Sequence, residues 1–299
     1  MASLCLGTAQ LGMKYGIANK TGRPDSGEIE NIVRTAWEND IDLFDTAQAY
    51  GESEEVLGRV FEALEIKNRA RVMTKLAPSM ERENSENIIQ SVKDSLRKLR
   101  IPKLFSLMLH REEWLKDWGK YYQKPLNKLC ESGAAQSLGV SIYSVEGFEK
   151  ALQIDEIKTI QMPFNLFDQR VRVEHCSERA QEKGKLLFLR SVYLQGALAL
   201  NNREIPSVLQ KHGKYFSRLH EICESKKISV KELALSFVME CAPNAVIVIG
   251  AETSNQIEET IQIANEKNRQ LSAFKQELFD LGKDVPEELI NPSLWTAAQ

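Results

Sequence analysis

Eight short apolar runs recur along the chain, and an amphipathic segment of helical period separates each run from the next. The runs are Ser3–Gly7, Ile41–Asp45, Arg71–Lys75, Leu104–His110, Gln136–Ser141, Thr159–Met162, Leu186–Ser191 and Ala245–Gly250. Their length and their content of Val, Ile, Leu and Phe are typical of strands buried on both faces of a parallel sheet. Eight such strands alternating with helices predict an α/β fold, the (β/α)8 TIM barrel.

Helix signals fill the gaps between the runs. Asp25 and Glu28 have the spacing of a capping pair, and Ile29 and Val33 then begin an apolar stripe on one helix face. Ser53 is placed to cap the next helix. Later helices are predicted over Val145–Leu152, Glu174–Lys183, Ser217–Lys226, Val230–Cys241, Ser254–Glu266 and Ala273–Gly282.

An open doubly wound sheet is the main alternative fold for this pattern. That fold usually carries a G-x-G-x-x-G turn after its first strand, and the chain has none. Gly7 and Gly12 have the spacing of a phosphate-binding loop, but Met13–Lys14 follows where such a loop requires Lys-Ser or Lys-Thr. We therefore favour the barrel and exclude a nucleoside-triphosphate loop.

Charge and hydropathy exclude several partners. The 299 residues include 39 Lys+Arg and 42 Asp+Glu, for a net charge of −3, which argues against a nucleic-acid-binding surface. No stretch approaches the ~18 apolar residues of a membrane span, and the start of the chain lacks the features of a secretory signal. Because α/β barrels commonly have about 200–300 residues, residues 1–299 are predicted to form a single domain.

The five cysteines are odd in number, widely spaced and without a C-x-x-C pair. This pattern predicts neither a disulfide framework nor a metal site. It is typical of a protein in the reducing cytoplasm, where we expect this chain to reside.

Polar residues end the otherwise apolar runs. In a barrel of this kind the carboxyl ends of the strands surround the active site. The residues found there are Asp45, Lys75, His110, Ser141, Gln161, Arg190, Ser191 and Gly250, with Tyr50 in the loop after the second run. Their distribution predicts a convergent site at one end of the barrel.

Four of these residues suggest a reaction. A tyrosine hydroxyl has a pKa near ~10, and a nearby ammonium such as that of Lys75 favours the phenolate and lowers this pKa. Asp45 would hold the lysine charged, and His110 would orient a substrate oxygen. Such a set suits protonation of a carbonyl oxygen by Tyr50 while hydride reaches the carbon. Because no side chain donates hydride, a cofactor must supply it.

The segment Asp45-Thr-Ala-Gln-Ala-Tyr50-Gly-Glu-Ser-Glu-Glu-Val-Leu-Gly58 closely resembles the signature of the aldo-keto reductase superfamily. Other landmarks of that family follow in order: Leu6-Gly-Thr8, Thr74–Lys75, Leu109–His110, Gly139-Val-Ser141, Gln161-Met-Pro-Phe-Asn165, Gln195-Gly196 and Ile249-Gly-Ala-Glu-Thr253. The resemblance covers the chain from residue 6 to about residue 260.

This resemblance implies a barrel that binds a nicotinamide cofactor, usually NADPH, without a Rossmann domain. Tyr50 would be the general acid in reduction, with Asp45, Lys75 and His110 as the other catalytic residues. The substrate would be a small carbonyl compound. The cofactor-binding positions would be Gly7, Thr8, Ser141, Gln161, Arg190, Ser191, Gln195, Gly196, Gly250, Glu252, Thr253, Gln256 and Glu259. The free N–H groups of the helix that starts near Thr253 give its phosphate-binding role an independent reason.

The chain departs from the family pattern at several of these positions. Ile142 replaces an asparagine that would contact the nicotinamide carboxamide. Arg190 replaces an aromatic residue, so it either stacks on the nicotinamide or binds an anionic group of the substrate. Glu252 stands where many relatives carry a basic residue, and a carboxylate there would repel a 2′-phosphate and admit NAD. The remaining departure is Thr260 in place of asparagine; Lys14, Lys267 and Arg269 are left as other sources of positive charge.

The two ends of the chain also differ from the family pattern. Many relatives begin with a β-hairpin that closes the bottom of the barrel, and no such hairpin is expected here. Another element or a partner chain would then cover that end, so both a monomer and a homodimer are left open. The tail, residues 283–299, is expected to lie near the barrel mouth and to shape the pocket.

Two other functions compete with the oxidoreductase. The superfamily includes potassium-channel β subunits, so a regulatory subunit that senses nucleotide redox state, with little turnover, is the alternative. A non-redox barrel enzyme acting on phosphorylated sugars would use Arg190 to bind the phosphate, but it leaves the Tyr–Lys–Asp–His set unexplained.

Overall fold

The architecture is a closed barrel of eight parallel strands in chain order, in a computed structural model that describes residues 3–201, 203–266 and 271–295. The strands are β1 (Ser3–Gly7), β2 (Leu43–Asp45), β3 (Arg71–Lys75), β4 (Ser106–Leu109), β5 (Leu138–Ser141), β6 (Ile157–Pro163), β7 (Leu186–Arg190) and β8 (Val246–Gly250). Pairing of β1 with β8 closes the barrel and sets Gly7 beside Gly250. The predicted (β/α)8 TIM barrel is confirmed.

Helices follow the strands and surround the barrel. Those of seven residues or more are α1 (Ser26–Glu38), α2 (Ser53–Ala63), α3 (Ser85–Leu99), α4 (Gln123–Glu131), α5 (Val145–Gln153), α6 (Cys176–Glu182), α7 (Gly213–Lys226), α8 (Val230–Cys241), α9 (Ser254–Asn265) and α10 (Lys275–Leu281). Short helices cover Ala9–Gly12, Arg170–Val173, Ser207–Gln210 and Glu287–Ile290. Short stretches of tighter or wider helix cover Pro78–Met80, Glu112–Asp117, Trp118–Tyr122, Leu194–Ala199, Leu271–Phe274 and Pro292–Leu294.

The predicted element boundaries hold to within a few residues. The run that starts at Leu104 contributes a strand only from Ser106, because Leu104 forms just an isolated bridge to Ala135. Helix α6 begins later than expected, since His175 adopts a left-handed conformation with φ 51° before it. Helix α8 has the predicted bounds.

Alternation along the strands separates the barrel interior from the helix interface. The interior cluster consists of Cys5, Leu43, Met73, Met108, Phe188, Val246 and Val248, all buried. Two residues further along a strand, the side chain points inward again, because the side-chain period of a strand is two. Asp45, Lys75 and Arg190 follow Leu43, Met73 and Phe188 in this way, so they share one layer above the apolar interior.

The lower end of the barrel is filled by residues at the beginnings of strands. The ring of Phe105 packs against the interior cluster, and the Arg71 guanidinium lies over this ring at 5.6 Å. Arg71 also forms a two-pronged ion pair with Asp42, in which Nε donates to Oδ2 at 2.8 Å. The Phe105 ring and this ion pair therefore lie together near the beginnings of β2, β3 and β4.

The predicted capping pair at α1 is only half correct. The Asp25 side chain accepts a hydrogen bond from the Glu28 backbone N–H at 2.9 Å, as expected of an N-cap. The Glu28 carboxylate does not return the bond. It accepts instead from the backbone N–H of Ser254 at 2.5 Å and from the Ser254 hydroxyl at 3.0 Å, at the start of α9. Glu28 therefore joins two helices that are far apart in sequence.

None of the helices in the described residues is both long enough and apolar enough to span a membrane.

Candidate active site

A buried ion pair lies at the carboxyl ends of β2 and β3. Lys75 Nζ donates to Asp45 Oδ1 at 2.6 Å and to the Thr46 carbonyl at 3.1 Å. Lys75 and Asp45 are 1% and 4% exposed, so water contributes little to their solvation. Gln161 Nε2 donates to the same Asp45 oxygen at 2.9 Å. These bonds satisfy both charges and hold the lysine in one position.

Tyr50 lies between this ion pair and His110. The Lys75 ammonium is 5.1 Å from the centre of the Tyr50 ring. The His110 ring meets the Tyr50 ring edge-on, with 5.9 Å between ring centres. The four predicted catalytic residues are therefore neighbours in space, although 65 positions separate the first from the last in the printed numbering.

Two glycines hold the backbone of the Tyr50 loop against the end of β1. A Cβ built on Gly12 would lie 1.9 Å from the Tyr50 carbonyl oxygen and 2.5 Å from the Ser53 nitrogen. Gly51 has φ 55°, and its own Cβ would lie 2.5 Å from the Gly12 carbonyl oxygen. Only glycine permits this contact. In the sequence, Gly12 stood out only because its spacing from Gly7 is that of a phosphate-binding loop, which was excluded. In the structure, Gly12 positions Tyr50.

A network of hydroxyl groups joins β1, β2 and α2 beneath Tyr50. The Thr8 hydroxyl donates to the Asp45 carbonyl at 2.9 Å and lies 2.8 Å from the Ser53 hydroxyl. Thr46 donates to Ser53 at 2.9 Å, and Ser53 donates to the Thr8 carbonyl at 3.0 Å. Thr8 was predicted to bind cofactor; although it borders the cavity described below, its hydroxyl is used to hold these elements together.

Burial sets the protonation of Tyr50 and His110. It raises the pKa of Tyr50 above its ordinary value, the Asp45 carboxylate raises it further, and the Arg190 guanidinium lowers it. The sequence predicted a pKa lowered by Lys75, and the net direction is the opposite. Burial is the main reason, and the Asp45 carboxylate, whose own ion pair with Lys75 is 2.6 Å long, adds to it. Burial lowers the pKa of His110 to about 4, helped by the positive charges of Lys75, Arg190 and Arg111.

Arg190 lies on the cavity wall with one face covered. Its guanidinium carbon is 4.1 Å from the centre of the Tyr143 ring. Its Nη2 donates to the Ile142 carbonyl at 3.1 Å and its Nη1 to the Ser191 hydroxyl at 3.3 Å. These partners are neutral, and no carboxylate of the described residues forms an ion pair with Arg190. Its charge is therefore available to an anion in the cavity.

A cavity of about 300 Å³ opens at the carboxyl ends of the strands. At one end it reaches Asp45 and Tyr50, and at the other it reaches the loop after β8 and the first turns of α9. The predicted cofactor residues that line it are Gly7, Thr8, Arg190, Ser191, Gln195, Gly196, Gly250, Glu252, Gln256 and Glu259. Its mostly apolar lining, with polar groups at both ends, suits an extended ligand.

Other predicted residues lie outside the lining. Lys75 and His110 stand behind Tyr50, whereas Ser141 and Gln161 are buried at the ends of β5 and β6. Thr253 caps α9, where its side chain accepts a hydrogen bond from the Gln256 N–H. Lys267 and Arg269, expected as sources of positive charge, lie outside the described residues.

The loop after β7 has an unusual backbone. Ser191, Leu194, Gln195 and Gly196 all have positive φ, from 49° to 85°. Asn165 holds the start of this loop, because its Nδ2 donates to the Ser191 carbonyl at 3.1 Å. Three consecutive left-handed residues are uncommon and costly, and such strain is often found at binding sites.

Sequence reasoning missed three residues around the cavity. Lys231, at the start of α8, lines it and forms an ion pair with Glu259. Tyr143 supports Arg190, and Glu28 caps α9. No local pattern marks Lys231 or Tyr143, and the capping pattern at Glu28 does not reveal its partner, since each acts on a residue from a distant part of the chain. Tyr15 and Tyr193 also line the cavity.

Two further predictions concern metals and the tail. Among residues 3–201, 203–266 and 271–295, no group of three or more His, Cys, Asp or Glu could hold a metal ion. The tail packs against the start of α7: the Tyr215 hydroxyl donates to the Asp284 carbonyl at 2.7 Å, and Lys211 pairs with Glu288. None of the described tail residues lines the cavity, so a role of the tail in shaping it stays a prediction.

Comparison with known proteins identifies the family. The model of the Aldo/keto reductase family matches residues 3–275. The closed barrel and this family match define the class as barrel oxidoreductases of carbonyl compounds. The chain belongs to the aldo/keto reductase family, and it is an oxidoreductase that acts on small carbonyl compounds or alcohols with NAD(P)(H).

Curated relatives are similar over most of their length. Aldo-keto reductase YhdN of Bacillus subtilis is 23% identical over 267 residues, which cover 81% of this chain and 80% of the relative. Pyridoxal 4-dehydrogenase of Microbacterium luteolum is 22% identical in an alignment 317 positions long. This alignment covers 87% of this chain and 89% of the relative.

Solved structures share the fold. The glycerol dehydrogenase AKR11B4 from Gluconobacter oxydans superposes with a TM-score of 0.72 at 23% identity, covering 97% of this chain and 93% of that one. The holo form of aldo-keto reductase AKR11C1 from Bacillus halodurans gives 0.74 at 19% identity, covering 97% and 95%. At these identities the likeness supports the barrel and does not identify a substrate.

Proposed function

We propose that Tyr50 exchanges a proton with the substrate oxygen in a cavity whose residues would hold a nicotinamide cofactor. The observation that carries this proposal is the position of Tyr50 on the cavity wall, against the His110 ring and the Lys75 ammonium. No other tyrosine of the described residues has both neighbours.

The buried residues around Tyr50 fit a nicotinamide. Gln161 Oε1 is buried and has no hydrogen-bond partner among the described residues, because Nε2 of the same side chain is held by Asp45. A carboxamide N–H is the kind of donor this oxygen lacks. Ser141, 5% exposed at the end of the neighbouring strand, would be its companion. The nicotinamide, when bound, supplies or accepts the hydride.

The charges around Tyr50 suit proton donation. Because burial and the Asp45 carboxylate raise the pKa of Tyr50, its hydroxyl stays protonated at neutral pH. In reduction, that proton passes to the substrate oxygen as negative charge develops there. Lys75, held by Asp45, places an ammonium near the resulting phenolate and stabilises it.

His110 is suited to orient the substrate without exchanging its proton. Its pKa of about 4 makes it neutral at pH 7, so one ring nitrogen carries a hydrogen and the other does not. Nδ1 is buried and has no partner among the described residues. A neutral imidazole can hydrogen-bond the substrate oxygen and leave the proton transfer to Tyr50.

Replacing Tyr50 by phenylalanine tests the reaction. Tyr50→Phe removes the proton donor and keeps the ring packed on His110, so we expect kcat to fall by about 10²–10⁴-fold. Cofactor affinity, followed by fluorescence titration, should stay within a factor of about three of the wild type, since the ring still lines the cavity. If Tyr50→Phe had the same kcat as the wild type, Tyr50 would not be the proton donor. Loss of both turnover and cofactor binding would indicate misfolding, which circular dichroism would reveal.

The substrate is proposed to carry a negative charge, because Arg190 has only neutral partners. In Arg190→Ala, kcat/KM for an aldehyde with a distant carboxylate should fall by about 10–100-fold, the usual value of a charge-assisted hydrogen bond. A methyl-terminated aldehyde of the same length should lose much less. Equal losses for the two substrates would assign Arg190 to the cofactor, where it would stack on the nicotinamide.

Other features stay predictions. The family resemblance favours NADP as the cofactor, whereas Glu252 is compatible with NAD. Glu252 by itself does not decide between the two dinucleotides. Location in the cytoplasm rests on the cysteine pattern, and either a monomer or a homodimer is compatible with the fold. No feature of the described residues favours a regulatory subunit over an enzyme.

A further inference from the structure

The cavity has a charged end remote from Tyr50. We call it the far end and define it by Lys231, Glu252, Gln256, Glu259 and Thr260, which all line the cavity. If the nicotinamide lies at Tyr50, as proposed above, the adenosine ribose of an extended dinucleotide lies here. The following argument rests on that proposed function.

The N-terminus of α9 borders the far end, and two of its backbone donors, the N–H groups of Ser254 and Gln256, are already used. The Ser254 N–H donates to the Glu28 carboxylate at 2.5 Å, and the Ser254 hydroxyl donates to the same oxygen at 3.0 Å. The Gln256 N–H donates to the Thr253 hydroxyl at 3.3 Å. A helix N-terminus attracts phosphate through its free N–H groups and its partial positive charge. Here Glu28 already supplies the anion.

Glu28 remains ionised in this position. The Ser254 N–H is the main reason that the pKa of Glu28 lies below its ordinary value. A phosphate approaching α9 would therefore meet a negative carboxylate at the point where it needs a donor. The Ser254 N–H, one of the donors that the sequence suggested for a phosphate, is therefore already bonded to Glu28.

The side chains that line the far end add negative charge. Glu252 is half-buried in the loop after β8, and its N–H donates to Gln256 Oε1 at 2.8 Å, which uses the acceptor of that amide. Lys231 is a cation on this wall, but Glu259 pairs with its ammonium. Among the described residues, the one lysine that lines the cavity is thus already neutralised.

We propose that Glu28 and Glu252 make this enzyme select NAD(H) over NADP(H). A ribose 2′-hydroxyl can donate a hydrogen bond to a carboxylate, whereas a 2′-phosphate at neutral pH carries one to two negative charges and is repelled. Glu252 acts from the cavity wall, and Glu28 acts by occupying the start of α9. Selection therefore depends on two carboxylates from opposite ends of the sequence.

Parallel fluorescence titrations of the full-length protein with NADH and with NADPH test the proposal. We expect NADH to bind with a Kd at least about tenfold lower, a modest value for like charges near a protein surface. In Glu28→Gln the amide oxygen can still cap Ser254 while the charge is gone. In this variant, and in Glu252→Gln, the Kd ratio should narrow by about threefold or more, and the double variant should bring it close to one.

A matched control is available on α9 itself. Glu258 is exposed and does not line the cavity, so Glu258→Gln removes the same charge from the same helix. Its Kd ratio should equal that of the wild type. A ratio that narrows equally in this variant would mean that overall charge, and not Glu28 and Glu252, decides the preference.

The outcomes separate this inference from the proposed function. Binding of neither dinucleotide would refute the redox function and the preference together. NADPH bound as tightly as NADH, or more tightly, would overturn only the preference and would mean that a cation reaches the 2′-phosphate. If Glu28→Gln unfolds in circular dichroism, Glu252→Gln still decides the question, because Glu252 does not cap the helix.

Discussion

The chemistry depends on how single residues are solvated. Tyr50 and His110 are neighbours in a site where water is scarce, and burial moves the pKa of each toward its neutral form. Lys75 and Asp45 form an ion pair 2.6 Å apart, and both side chains are buried. The result is one charged pair that holds its position beside two neutral groups that can exchange hydrogen bonds with a substrate.

The pKa of His110 predicts a loss of stability in acid. Its folded-state value of about 4 lies below its ordinary 6.5, so between these values the unfolded chain binds a proton that the folded protein does not. The contribution to stability is complete above pH 6.5 and is lost as the pH falls toward 4. Urea unfolding measures the free energy of unfolding at pH 7 and at pH 4.5. The decrease between these two pH values should be about 2 kcal/mol smaller in His110→Gln than in the wild type.

His175 provides the control for this measurement, because it is exposed at the surface. In His175→Gln, the free energy of unfolding should decrease between pH 7 and pH 4.5 by as much as it does in the wild type. If the free energy of unfolding decreased equally in His110→Gln and in the wild type, His110 would not take up a proton on unfolding in this pH range, contrary to the prediction.

At the scale of elements, the site depends on contacts between loops that follow different strands. Tyr50 occupies its position because the loop after β2 packs backbone to backbone on the short helix after β1. The loop after β7 is held by Asn165, which extends from the end of β6. Strands are regular and leave little choice of position, so these loop contacts determine where the reactive groups lie.

Gly12→Ala tests the contact that places Tyr50. The added methyl group would lie 1.9 Å from the Tyr50 carbonyl oxygen, so the loop must move. We expect the free energy of unfolding to fall by about 1–3 kcal/mol, as for other overpacked sites, and kcat to fall because Tyr50 is displaced. Unfolding in urea and steady-state kinetics would measure the two effects.

Gly213→Ala is the matched substitution. Gly213 begins α7, and a Cβ there would meet no atom within 4 Å. It should be neutral or stabilising by about 0.4–1 kcal/mol, because alanine restricts the unfolded chain. Equal stability of Gly12→Ala and Gly213→Ala would contradict the close contact.

For the whole molecule, closure of the barrel is what assembles the site. Pairing of β1 with β8 brings Gly250 beside Gly7, and α9 then lies close enough to α1 for Glu28 to cap it. Each strand contributes at most a few polar atoms, and none could form a cavity alone. A single domain over residues 1–299 agrees with this closed sheet and stays a prediction, as does a role for the tail.

Sequence alone was sufficient for the barrel, because burial of a strand and the period of a helix depend on neighbours within a few residues. It also predicted that Asp45, Tyr50, Lys75 and His110 converge, since the carboxyl ends of parallel strands must meet at one end. Only the tertiary structure decided the direction of the Tyr50 pKa shift, the pairing of Lys231, and the partner of Glu28. These depend on burial and on contacts between residues as distant as 28 and 254, which no local pattern encodes.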